Sequence, residues 1–489
     1  KDRMLLDQDF TEKNIFTLNQ QQRLNTISEE IVMKSKAGQN WQWTNGIFVF
    51  YQWLNTDGPV EFKEEGVKEV IEDNANNNFP SSPGAPTMRL TVNNPTLNVS
   101  GNFDTPTFSA AIYHQSTYNN FLIKGLSITA GLRLDYEKMS MNYTSASTPM
   151  DFNFKFYMQM PPPRPTIDLE AKNMIAPASF NGKLSNDYLQ LLPKFAIQYE
   201  WKKGNNVYVT ASRGYRSGGY NVQMFSDLIQ SQLKNSMKAA MISNETFASM
   251  ANMIETMMPD EEIDIKASTT YKPEYSWNYE VGSHLTLWEG RLWADLAAYY
   301  MDTKDQQISQ FAESGLGRIT INAGKSRSFG AEASLRASIT DAFSMNASYG
   351  YTYATFTDYV VNQKDEDGKL VKKSYNGNYV PFVPKHTLSV GAQYIFRIAP
   401  RHWLDRVQVN ANYNAAGRIY WTEENNVSQA FYGTLNGRVS LEKGNGVLAF
   451  WIRNALDKEY QAFYFESMGN GFMQKGRPMQ LGVDVRCRF

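Results

Sequence analysis

Residues 41 to 53 read WQWTNGIFVFYQW. In a β-strand, successive side chains point to opposite faces, so Trp41, Trp43, Ile47, Val49, Tyr51 and Trp53 share one side. On that side aromatic rings stand at both ends and aliphatic groups in the middle. Trp and Tyr favour the two membrane–water interfaces and aliphatic groups the hydrocarbon, so this is the profile of a strand crossing a bilayer. A soluble core strand has no reason to sort its aromatics to its ends.

The same two-sided design recurs. In RVQVNANYNAAG (406–417), Val407, Val409, Ala411, Tyr413 and Ala415 alternate with Gln408, Asn410, Asn412 and Asn414. In HTLSVGAQYIF (386–396), Leu388, Val390, Ala392, Tyr394 and Phe396 alternate with Thr387, Ser389, Gly391 and Gln393. RLWADLAAYY (291–300) sets Leu292, Ala294, Leu296, Ala298 and Tyr300 against Asp295, and LGVDVRCRF (481–489) sets Leu481, Val483, Val485, Cys487 and Phe489 against Asp484, Arg486 and Arg488. Further strands read at 108–115, 125–138, 189–201, 205–214, 276–287, 318–337, 342–353, 432–441 and 446–455. With two weaker ones near the start, the count is roughly sixteen. Their connections alternate in length: tight turns at 288–291, 340–342 and 442–446, long segments near 55–105, 140–186, 222–270 and 357–382. Short turns on one rim and long loops on the other mark a bacterial outer-membrane barrel, with the long loops outside the cell.

Composition is consistent with this reading. Of the 489 residues 42% are hydrophobic and 13% aromatic, while 48 Lys and Arg nearly cancel 49 Asp and Glu, which argues against a nucleic-acid partner. No apolar run is long enough for a transmembrane helix, a criterion that barrels escape because their strands are half polar. The single cysteine, Cys487, excludes an intrachain disulfide or a Cys-based metal site and reads as a small hydrophobe on the dry face. No composition shift or linker divides the chain into domains.

Five segments resemble the C-terminal part of TonB-dependent outer-membrane receptors, nearest to the siderophore and iron-chelate type: TASRGYRSGGYN (210–221), YKPEYSWNYEVG (271–282), INAGKSRSFGAEASL (321–335), IRNALDKEYQAFYF (452–465) and GRPMQLGVDVRCRF (476–489). The resemblance implies a barrel of roughly 22 strands plugged by an N-terminal globular domain, with a TonB-contacting peptide ahead of the plug. It also implies uptake of a scarce extracellular ligand driven through TonB by the inner-membrane proton gradient, with no cofactor. On that reading the chain is the C-terminal portion of the barrel, residues 1–489. The plug, the TonB-contacting segment and the first strands then lie elsewhere, in a second chain or in further residues, because lipid cannot satisfy an open sheet edge. Val485, Cys487 and Phe489 are expected to carry the C-terminal signal for barrel assembly.

No catalytic constellation is present. The four histidines, His114, His284, His386 and His402, are scattered without metal-ligand spacing. INAGKSRS lacks the first glycine of a phosphate loop, Ile319 standing in its place, and a strand follows where that loop needs a helix. DEDG (365–368) and DEEID (260–264) lack calcium-loop spacing and read as solvated charges. The long segment 222–266 is methionine-rich. Met237 and Met241, and Met250, Met253 and Met257, fall at helical spacing, so it is expected to form two short amphipathic helices. Those methionines either offer an adaptable apolar surface to a ligand or form the core between the helices. Arg213 and Arg216, beside aromatics near the outer rim, either meet an anionic iron chelate, bind lipopolysaccharide phosphates or brace neighbouring strands. Three other functions fit parts of the pattern: a passive sixteen-stranded porin, an importer of glycans or peptides with a surface lipoprotein lid, and a soluble β-rich adhesin or enzyme.

Overall fold

The computed structural model describes the chain except residues 1, 8–9, 78, 80–85, 161–162, 312–317, 365–369, 399–401, 468 and 488–489. The DEDG stretch, Arg488 and Phe489 therefore lie outside the described residues. Alternation dictates strands, and antiparallel strands dominate: among the described residues the main sheet holds eighteen. Its long strands form a meander, each pairing antiparallel with the next along the chain. The series begins with Asp2–Asp7 on Phe16–Lys34 and Trp41–Asp57, and continues through Thr107–Asn119, Leu126–Ser147, Ser179–Lys202 and Asn205–Arg216. It passes on through Glu274–Leu287, Leu292–Lys304, Lys325–Ser338, Phe343–Asp358 and His386–Arg397. Arg406–Ala416, Tyr432–Lys443, Gly446–Arg453 and Gln480–Cys487 complete it. Two short strands, Val60–Phe62 and Leu97–Asp104, join it at the long-connection end.

The faces are sorted as the sequence predicts. Trp41, Ile47, Val49, Tyr51 and Trp53 are all exposed large hydrophobics, as are Phe195, Ile197, Tyr199 and Trp201 on the strand Ser179–Lys202. Val483 and Val485 are exposed at 57% and 74%, and Cys487 is exposed as well. A water-soluble sheet does not leave such a continuous apolar face uncovered, so this face is the lipid side. Among the described residues no helix is long and apolar enough to cross a membrane.

The long connections depart from the expectation of loops. The strands Leu126–Ser147 and Ser179–Lys202 stay paired over their whole shared length, from Tyr199–Leu126 to Ser179–Ala146, so much of 140–186 is strand rather than loop. Beyond the apolar band their outward positions turn polar, at Lys138, Ser140 and Asn142 on one strand and Lys183 and Ser185 on the other, as water contact requires. Their inward Met139, Met141 and Tyr143 are buried. Above the rim, Thr87–Val92, Met150–Met158 and Ile167–Ala176 form a three-stranded sheet of their own. Its inner face, Met150, Phe152, Phe154 and Phe156, is fully buried.

Lipid contact sets a directional cost. Phe195→Arg, in the middle of the apolar band, should destabilise the barrel by about 2–4 kcal/mol, whereas Ala196→Arg on the inner face should cost little. Denaturant titration of the folded barrel in lipid vesicles reads the difference, and equal losses would contradict the assignment of faces.

Candidate functional site

The inner face is polar because every second residue of each strand points there. Two groups of chemically active side chains stand on it. The first lies on adjacent strands in the middle of the meander. Tyr208 Oη donates to Glu280 Oε1 at 2.7 Å, and His284 Nδ1 lies 2.6 Å from Asp295 Oδ1. Tyr208 is also stacked on His284, with ring centroids 5.3 Å apart. Gly282 makes this possible, since a Cβ there would sit 2.4 Å from Tyr208 Oη. Tyr208, Glu280 and Asp295, with Glu332, line a recess of about 720 Å³ that also takes in Asn278, Tyr299 and Ser348. The carboxylates Glu280, Asp295 and Glu332 make this wall acidic, suited to a cationic or hydrogen-bond-donating surface filling the lumen.

The second group lies nearer the long connections. Leu132 and Leu134 point outward, which turns Arg133, Asp135 and Glu137 inward. Arg133 grips Asp135 with two bonds, Nε to Oδ2 at 2.7 Å and Nη2 to Oδ1 at 2.8 Å. Its guanidinium sits between Phe48 and Tyr113, at 5.5 and 5.6 Å from the ring centres, and Tyr113 donates to Glu30 at 2.7 Å. Glu137 is 5% exposed: its Oε2 accepts from Ser217 Oγ at 2.7 Å, and its Oε1 has no partner among the described residues. Gln190 Nε2 donates to Tyr275 Oη at 2.9 Å beside them. Neither carboxylate group was singled out from sequence. The signal was the alternation of charge with leucine in GLRLDYEK, which fixes Arg133, Asp135 and Glu137 on one face.

Arg213 is half-buried on Asn205–Arg216, its guanidinium 4.9 Å from the centre of the Tyr275 ring and donating to Leu191 O at 3.4 Å. That geometry is the strand-bracing alternative. Arg216 is exposed and stands opposite Glu274, whose carboxylate accepts from the Gln307 backbone N–H at 2.7 Å.

The methionine-rich segment forms one helix longer than expected, Phe225–Ser243, then a 3-10 turn, Glu245–Met250, and a short helix, Ala251–Met257. Met237, Met241 and Met250 are buried at 3%, 1% and 7%, in one core with Phe152, Phe154, Phe156 and Phe247. Met253 and Met257 pack against it half-buried. These methionines therefore serve as core, and the partner of that core is the three-stranded sheet as well as the second helix. The charges of DEEID are solvent-exposed as expected, Asp260, Glu262 and Asp264 among them, and three of its carboxylates also make ordered contacts. Asp260 pairs with the buried Lys238, Glu261 pairs with Lys234 at 2.7 Å, and Asp264 caps the helix Ile265–Thr269 through Ala267 N at 2.9 Å. Desolvation alone would push the Glu261 carboxyl up, but hydrogen bonds from Ser231 and the Lys234 ammonium outweigh it and hold it below the ordinary glutamate value.

Met241→Ala should cost about 2–5 kcal/mol locally, because the cavity opens in a closed core. Hydrogen exchange should quicken in 225–257 and stay slow in the barrel strands; uniform loosening would contradict a separate upper core. Since the Glu261 carboxyl is lowered on folding, its contribution is present above the unfolded value and is lost as pH falls through the folded one. Protection factors of the Phe225–Ser243 helix, taken relative to the intrinsic exchange rate at each pH, should therefore fall on acidification, and Glu261→Gln should remove that pH step.

Comparison with known proteins adds the family. Residues 6–455 match the family model described as TonB dependent receptor-like, beta-barrel. The chain is 23% identical over 320 residues to the pesticin receptor of Yersinia pestis, covering 64% of this chain and 38% of that protein. It is 26% identical over 242 residues to the metal-pseudopaline receptor CntO of Pseudomonas aeruginosa, covering 49% and 31%. Among solved structures it is similar to the ferric yersiniabactin uptake receptor FyuA from Yersinia pestis, with a TM-score of 0.64 at 17% identity, covering 98% of this chain and 56% of that one. The chain thus spans about two fifths or less of the length of these two curated relatives.

Proposed function

The chain belongs to the TonB-dependent receptor β-barrel family, and on that premise we propose that it is the C-terminal barrel portion of a receptor for TonB-dependent uptake of a ferric siderophore or related metal chelate. As a family member it is a bacterial outer-membrane β-barrel protein. The observation that carries the reading is the match over residues 6–455, to which the names of similar proteins add a ligand class: metal-pseudopaline and ferric pyoverdine for two curated relatives.

In this reading the rest of the receptor supplies a plug, a TonB-contacting segment and further strands, as more of the same polypeptide or as a second chain. Two features support it. Among the described residues, Asp2–Asp7 pairs with Phe16–Lys34 and Gln480–Cys487 with Gly446–Arg453, and any sheet edge left at membrane depth needs a further strand because hydrocarbon offers it no partner. The acidic wall of Glu280, Asp295 and Glu332 suits a lumen-filling domain with basic groups. Recognition falls to the upper structure. The core of Met237, Met241, Met250, Met253 and Met257 holds the long connections in place, and the exposed Arg216 is the better placed of the two arginines to meet an anionic chelate or an outer-leaflet phosphate. The work is binding and translocation with no catalytic step, and the partners are TonB, the extracellular chelate and lipopolysaccharide.

In the complete receptor, deletion of residues 222–266 should weaken chelate binding at least tenfold while the barrel still assembles and resists heat. Uptake of the labelled chelate should vanish in cells lacking TonB. Unchanged affinity after the deletion would end the recognition role, and TonB-independent uptake, or open conductance from this chain alone in a planar bilayer, would favour a passive pore.

A further inference from the structure

The turns of the short-connection rim carry an anomaly. Leu122 is 86% exposed, the most of any large hydrophobic among the described residues, between Phe121 at 38% and Ile123 at 55%. Trp288, at another short turn, is 66% exposed, and Trp403, in the connection between the strands His386–Arg397 and Arg406–Ala416, is 76% exposed. Leu122 and Trp288 also adopt left-handed backbone, with φ of 60° and 53°. In the polar turns of the same rim that conformation is given to Gly38, Gly204 and Gly444, with φ of 82°, 81° and 51°. A leucine or tryptophan there is unfavourable twice over, in backbone sterics and in exposure to water. The 120–125 turn is well held: Asn120 Oδ1 accepts from Gly125 N at 2.9 Å and Ile123 N donates to Phe121 O at 2.7 Å.

What relieves both is a non-aqueous contact, and the surroundings indicate which. Phe121 packs edge-on against Tyr118 at 6.0 Å, and Tyr118 stands opposite Trp41 in register. Tyr118, Trp41, Tyr199 and Trp201 are exposed outward residues at the short-turn end of their strands, the interfacial girdle of the lipid face. Leu122 extends that girdle beyond the strand end. Exposed Lys124 and Arg291 flank two of the tips; Glu289 is the one carboxylate within those two turns. Cationic groups beside apolar tips complement an anionic headgroup layer.

We propose that these turns are lipid anchors: Leu122 with Phe121 and Ile123, Trp288 and Trp403 lie in the headgroup region of the leaflet facing the cell interior, against anionic phospholipid. They fix the depth and tilt of the barrel there. The inference rests on the outer-membrane reading above.

The test uses the complete receptor carrying Cys487→Ser, reconstituted in phosphatidylethanolamine–phosphatidylglycerol vesicles. Single cysteines replace Leu122, Lys203 in a polar turn of the same rim, or Val209 in the apolar band, and carry an environment-sensitive fluorophore. Headgroup-level nitroxide lipids should quench the Leu122→Cys label at least twofold more than the Lys203→Cys label. Equal, water-like signals at both would overturn the proposal. A water-like Val209→Cys label would instead overturn the membrane reading itself. Should Cys487→Ser fail to assemble, brominated lipids with Trp288→Phe and Trp403→Phe in the otherwise unaltered receptor give the same answer. Each substitution should remove a lipid-quenchable share of the tryptophan emission, and unquenched shares refute anchoring. Shielding of the tips that appears only when a periplasmic protein extract is added would likewise refute it.

Discussion

Hydrocarbon has no hydrogen-bond donors or acceptors, and the remaining features of this protein follow from that. Every N–H and C=O at membrane depth must find its partner on a neighbouring strand, so the chain can cross as a sheet only if each strand pairs with the next. The meander is the simplest route to that end, because consecutive antiparallel strands need only a tight turn on one rim. Once pairing is obligatory, the two-residue side-chain period does the sorting. Phe195, Ile197 and Val209 meet lipid, while Glu280, Asp295 and Arg133 must face inward, where polar company or water offsets their charge. The inner chemistry is thus a by-product of the outer constraint, which leaves it free to be shaped for binding.

The two inner groups differ in how their charge is satisfied. Arg133 and Asp135 satisfy one another through a bidentate contact within one strand, and aromatic rings close over the cation. Among the described residues the middle wall keeps three carboxylates with Tyr208 and His284 as their hydrogen-bond partners, and it borders open space. A closed ion pair orders the wall, and an open acidic surface remains available to a partner. That contrast is why the middle wall, and not the Arg133 cluster, is the better surface for a lumen-filling domain.

Most of the barrel was legible because its signal is local. Alternation, terminal aromatics and turn residues identify the strands around Trp41–Asp57, His386–Arg397 and Arg406–Ala416 without knowledge of any long-range contact. The superstructure was not. Met150, Phe152, Phe154 and Phe156 alternate as regularly as any barrel strand, yet they occupy a segment whose length marks it as a loop. What they pack against, the Phe225–Ser243 helix, lies some seventy residues away in sequence. The methionine spacing revealed helices but could not tell a ligand surface from a core, since both require the same amphipathic face. The exposed charge of DEEID was legible, but its lysine partners were not, because Lys234 and Lys238 lie on a helix earlier in the chain.

The loss of lipid contact above the rim is why the upper structure carries its own core. Above the membrane a strand loses the lipid that made its outward residues apolar, and pairing alone holds a protruding hairpin weakly. Leu126–Ser147 and Ser179–Lys202 overshoot the band by many residues and survive because their inner face becomes part of a packed unit. Met141 and Tyr143 meet Phe225 at the base of the helix, and Phe180 joins from the opposite strand. Three long connections that would each be mobile alone are thereby fixed in one body. Their exposed surfaces, Arg216 among them, can then hold a stable geometry toward whatever arrives from outside, because the ordering entropy is met during folding and not at the moment of binding.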